Sequence, residues 1–168
     1  MDISNTQISI TDDFIDELIS CKKRIIMPPS PKDKANGLHK QTNMELESVD
    51  KKYKFSVFIR ENTKLFEFFS VGLVYHRDKE TDIIIIRYNG NHGAHKNYLN
   101  NELIEEGFHI HKYSTEAVEL GIKAENHAEI TGKYSTLQEA LLSFFTDMNI
   151  DNFKKYYQNL SQIALPFK

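Results

Sequence analysis

Tryptophan is absent from this 168-residue chain, and cysteine nearly so, with Cys21 standing alone. A lone thiol excludes an internal disulfide and a cysteine-based zinc site, and it favours a reducing compartment. Proline is scarce, and three of the four residues fall together in Met27-Pro28-Pro29-Ser30-Pro31. Long hydrophobic runs are missing too. The longest, Ile83 to Ile86, is far too short to span a bilayer, and the polar, acidic N-terminus has no signal-peptide core. Neither sign of charge dominates: the net charge is -3, so a polyanion has to be met by a local patch rather than by the overall field. A cytoplasmic protein without a membrane segment is expected. What remains is ordinary globular composition, 40% hydrophobic and 27% charged, and its 8 Tyr and 11 Phe argue for an aromatic-rich core.

Residues 11 to 24 read as a helix. Thr11 is the N-cap, Asp12 and Asp13 sit in the first turn, Lys22, Lys23 and Arg24 close the last, and Phe14, Ile15, Leu18 and Ile19 form the apolar stripe. The proline cluster and polar residues 32–37 then read as a linker. This divides the chain into an N-terminal helix with its linker, 1–37, and one domain, 38–168. From His39 the period changes to two. Met44 and Leu46; Tyr53, Phe55, Val57 and Ile59; Phe69, Val71, Leu73 and Tyr75; and Ile83 to Tyr88 mark four strands joined by short polar loops, which implies antiparallel hairpins. Gly107 to Tyr113 is the fifth strand. Helices follow at 115–120, after Ser135 or Thr136 (Leu137, Ala140, Leu141, Phe144, Phe145), and at 152–163. The fold class expected is α+β: an antiparallel β-meander of about five strands with helices on one face, preceded by a separate N-terminal helix.

Four of the seven histidines lie within twenty residues: His92 and His95 in a loop, His109 and His111 in the fifth strand. Alternate strand residues share a face, so His109 and His111 project side by side, and pairing of 83–88 with 107–113 brings in the loop pair. Imidazole transfers protons near neutral pH and is the commonest metal ligand. Two chemistries follow. The rings could hold a divalent ion, or they could act as general base and acid in a metal-free, cofactor-free phosphodiester cleavage. In the second scheme His92, His109 and His111 carry the protons, Arg87 contacts phosphate, and His95, Lys96 and Lys112 support binding. The bland alternative is a His- and Asn-rich turn beside a satisfied core histidine. Glu129 is the nearest carboxylate for orienting an imidazole. His39 and His76 read as solvated, and His127 as a capping or surface residue.

The blocks Ile86-Arg87-Tyr88-Asn89-Gly90-x-His92-Gly93-x-His95, Phe108-His109-Ile110-His111-Lys112, Leu120-Gly121-x-Lys123-Ala124-Glu125, Ala128-Glu129-x-Thr131 and Phe144-Phe145-Thr146-Asp147-x-Asn149-Ile150 carry a resemblance. Over about residues 53 to 151 the chain resembles an uncharacterised family of small bacterial and prophage proteins with no settled activity. More distantly, its Arg-containing strand end followed by histidines is similar to TumE-like toxins of toxin–antitoxin pairs, with Asn89 where an Asp is usual. The toxin resemblance implies a small toxin-like or defence-related protein that cleaves or binds RNA. The rival reading is a non-enzymatic module, an inhibitor or antitoxin-like partner of a mobile element, docking on a cognate protein through the N-terminal helix and the aromatic C-terminal segment. A metal-binding protein is the third. Antiparallel edge strands also allow a homodimer.

Overall fold

A computed structural model describes residues 10–33 and 37–163. The stretch before residue 10 and part of the expected linker, 34–36, lie outside the described residues. Helix α1, Asp12–Ser20, begins as its sequence dictates: the Thr11 hydroxyl accepts from the Phe14 amide at 3.1 Å, and Asp12 and Asp13 face the positive end of the helix dipole. Strands β1 (Lys23–Asp33), β2 (His39–Ser48), β3 (Lys54–Asn62), β4 (Phe69–His76) and β5 (Asp82–Asn89) then run as consecutive antiparallel neighbours. A small separate hairpin, β6 (His95–Asn97) and β7 (Glu102–Ile104), leads to β8 (His109–Lys112), which pairs with β5. Helix α2 (Thr115–Glu119) and the edge strand β9 (Ala128–Ile130) complete a seven-stranded sheet. Helix α3, Leu137–Asp147, is capped by Thr136, and two short 3-10 turns, Phe153–Lys155 and Gln158–Gln162, replace the expected final helix.

The period-two pattern becomes the inner face of this sheet. Met44, Leu46, Phe55, Val57, Ile59, Phe69, Val71, Leu73 and Tyr88 are buried against Ile15 and Leu18 of α1 and Phe144 and Phe145 of α3. Burial on this scale, about 25 cal/mol per Å² of apolar surface, is the main force holding the layers together. The α+β class and the one-sided placement of the helices are as expected.

Two expectations are corrected here. The presumed linker is the edge strand β1, paired with β2 from Lys23↔Ser48 to Asp33↔Lys40. Pro28 and Pro29 fall where the register shifts between Met27 and Ser30, Pro31 stays in register opposite Thr42, and an edge strand tolerates residues that lack an N–H. The N-terminal helix is not separate, because Ile15 and Leu18 are completely buried. Its apolar stripe is spent inside the fold rather than left free to dock on a partner. Lys23 is likewise not a solvated end charge: fully buried, its Nζ donates to the carbonyls of Ile19 (2.8 Å), Cys21 (2.8 Å) and Met148 (3.0 Å). It thereby ties α1, β1 and the end of α3 together. Among the described residues no helix is long and apolar enough to cross a membrane.

Candidate functional site

The outer face of the sheet is built in two cross-strand rows. Gln41, Arg60, Ser70, Asn89 and His109 stand opposite one another in turn across β2, β3, β4, β5 and β8. Asn43, Phe58, Gly72, Arg87 and His111 form the next row. Directly opposed antiparallel residues share a face, so one side of the sheet carries two arginines and two histidines at its β8 end. The first row is linked through side chains. Arg60 Nε donates to Gln41 Oε1 at 3.2 Å, Ser70 Oγ donates to Asn89 Oδ1 at 2.8 Å, and the Asn89 amide meets His109 Nε2 at 3.4 Å. In the second row Gly72 leaves room for the Phe58 ring; a Cβ there would come within 2.3 Å of it.

The loop histidines fold onto this end. Gly90 is where the chain leaves β5, and it passes so close beneath the Glu67 carbonyl that a Cβ would lie 1.8 Å from that oxygen. Beyond it, the His92 ring lies edge-on to His109 at 5.4 Å between centroids. His95 stacks on His109 at 6.0 Å and meets His111 edge-on at 4.7 Å, and His109 and His111 are 5.0 Å apart. All four rings therefore converge. The β6–β7 hairpin is held in place by Asn97, whose buried amide donates to the Ala128 carbonyl and accepts from the Ala128 amide, both at 2.8 Å.

Three of the rings are oriented by the backbone. A carbonyl only accepts, so His109 Nδ1 donates to Gly107 (2.9 Å), His111 Nδ1 to Glu125 (2.9 Å) and His95 Nε2 to Asn126 (2.6 Å). Each keeps its other nitrogen as a proton acceptor. Burial pushes His111 down to about 3, with Arg87 and the neighbouring rings adding repulsion. Burial also lowers His109, and partial desolvation together with Arg87 lowers His92. His92, His109 and His111 are thus held towards neutral imidazole. Access differs within it: His109 and His111 are 0% and 2% exposed, His95 is half-buried, and His92 opens to solvent. Arg87 is half-buried with its Nε unpartnered; burial works against its charge, and Glu125 supports it.

His92, His95, His109, His111 and Arg87 are accordingly brought to one place, but the two lysines are not. Lys112 points to the inner side of the sheet, where its Nζ pairs with Asp16 at 2.6 Å. Lys96 is exposed and lies over the Tyr98 ring, 5.7 Å from its centroid. Glu129 lies 3.9 Å from His127 rather than by the cluster; the backbone of residues 107, 125 and 126 does the orienting instead. His76 is paired with Asp82 at 2.6 Å. Among the described residues no group of three or more His, Cys, Asp or Glu side chains is arranged to hold a metal ion. Consistently, His109 offers its free nitrogen to an amide donor. Arg60, Phe58, Ser70 and Asn89 were not singled out as site residues. Their signal is the polar half of the alternation that identifies the strands, and it becomes readable only once the register aligns it.

A model of a family of unknown function, DUF6978, matches residues 10–150. The chain belongs to that family. The match begins at the helix that packs into the core and ends where β1 and residue 150 meet, so the family's extent follows the fold and takes in the region assigned above to a linker. No curated protein and no solved structure matches the chain.

Proposed function

We propose that this chain is a small toxin-like protein that cleaves RNA by metal-independent transesterification at the four-histidine cluster. The observation that carries the reading is the convergence of imidazoles from two separate segments, three of them oriented by backbone carbonyls, on the sheet face that also presents Arg87. His92, the solvent-open ring held towards its neutral form, takes the proton from a ribose 2′-hydroxyl. The 2′-oxygen bonds to the adjacent phosphorus and the bond from phosphorus to the 5′-oxygen breaks, leaving a 2′,3′-cyclic phosphate. The proton taken up by His92 passes through water to Nδ1 of His95, left free by that ring's bond to Asn126, and from there to the leaving 5′-oxygen, so that both imidazoles end neutral. Arg87 stabilises the charge that develops on the phosphoryl oxygens. His109 and His111, closed to solvent, are positioning residues that hold the two outer rings.

The test is incubation of the purified protein with a single-stranded RNA oligonucleotide in the presence of a chelator. Cyclic-phosphate ends should appear, and His92→Ala should lower the rate about 10²–10⁴-fold, the usual worth of a general base. His111→Ala should move the pH profile as well as the rate, because it alters the field around the outer rings. RNA left intact by the wild-type protein, or cleavage abolished by the chelator, overturns this reading.

A further inference from the structure

Next to the histidine cluster, on the same face, a cleft of about 190 Å³ is lined by His39, Arg60, Glu61, Phe68, Ser70 and His92 among others. We infer that this cleft is a nucleotide subsite, seating one unpaired RNA base against the Phe68 ring with the attached phosphate on Arg60. It rests on the RNA reading above and names what that reading leaves open, the form of the substrate and where it is gripped.

Phe68 stands at the mouth with its ring edge-on to His92, 6.4 Å between centroids. It closes a fixed turn in which its amide donates to the Leu65 carbonyl, while Asn62 Oδ1 accepts from the Lys64 and Leu65 amides. The Phe68 ring is 38% exposed on that turn and so is presented to solvent beside the site. Exposed rings next to cations are how proteins grip single strands, since every base offers a face for stacking. Arg60 is already shaped for the phosphate. Its guanidinium lies over the Phe58 ring at 4.4 Å and is steered by Gln41, and it makes no ion pair among the described residues. The only carboxylate among the residues lining the cleft, Glu61, is engaged by Lys40 at 3.6 Å. With Glu61 paired, Arg60 is left as the unpaired charge among the lining residues, in a chain whose net charge is -3. The cleft is also connected to the cluster, because Ser70 on its floor holds Asn89, which holds His109. A base seated here places its own ribose and phosphate beside His92. A duplex, with its bases already stacked inside, cannot supply one.

The experiment measures binding of a fluorescent 2′-O-methyl RNA single strand, which has no free 2′-hydroxyl to react, by anisotropy across a salt series. The proteins are wild type, Phe68→Ala, Phe68→Leu and Arg60→Gln, each checked for folding by circular dichroism. Loss of the stacking ring should weaken binding roughly 5- to 100-fold, with leucine no better than alanine. Arg60→Gln should weaken it and reduce the salt slope by about one. The same sequence as a duplex should bind more weakly than the single strand. Wild type that binds while all three variants bind equally well overturns the subsite and leaves the histidine chemistry standing. Wild type that binds no RNA at any salt overturns both.

Discussion

The two faces of the seven-stranded sheet are made by the same strands with opposite logic. On the inner face Val57, Val71, Leu73 and Tyr88 meet two helices, and what matters there is volume and exclusion of water. On the outer face Asn89, His109 and His111 are as deeply buried as the core, yet each is tied to a specific donor or acceptor. A core side chain has many adequate neighbours. A buried imidazole has one correct partner, and leaving it unmet costs about 1–3 kcal/mol. Polar burial of that kind adds little to stability, and here it fixes which nitrogen of His109 and His111 carries the hydrogen.

Several substitutions sharpen the contrast. The largest loss of stability belongs to the inner face. Phe144→Ala, which removes a fully buried ring packed on Tyr88 and Phe145, should cost about 3–5 kcal/mol in chemical denaturation. On the outer face Gly72→Ala should cost roughly 1–3 kcal/mol, because its Cβ must displace the Phe58 ring, and should also unseat Arg60 from that ring. If affinity for RNA is untouched while stability falls, the Arg60 platform is unimportant. The smallest effect is on pH. The folded state holds His111 down at about 3 and lowers His109 and His92, so the unfolded chain takes up protons first. That stability is fully present above about pH 6.5 and is lost as pH falls towards 3. His111 alone accounts for roughly 1 kcal/mol by about pH 5.5. Denaturation midpoints at pH 7.5 and 5.5 measure it, and His111→Phe should flatten the difference.

Much of this was legible in the chain. Alternation located β2 to β4, the Ile83–Ile86 run marked β5, and Thr11 and the 135–136 pair announced α1 and α3, because capping and hydrophobic patterning are local properties. The convergence of the four histidines followed from one assumed pairing, β5 with β8, which the register bears out. What failed was non-local. Pro28, Pro29 and Pro31 signal a break to any local reading, and only the neighbouring β2 makes them part of an edge. Lys23 resembles every other basic helix end until three carbonyls from two ends of the fold close around it. Lys112 and His111 are adjacent in sequence and opposite in space, a consequence of strand geometry that proximity in the chain conceals.

The buried ammonium of Lys23 sets a boundary on how this protein can be dissected. Trimming the chain back to residue 38 would remove an edge strand, strip a helix from the core and abandon the backbone of Asn149 and Asp151, which hydrogen-bond to Lys23 itself. The smallest piece that can be asked about RNA is therefore one that still begins ahead of α1.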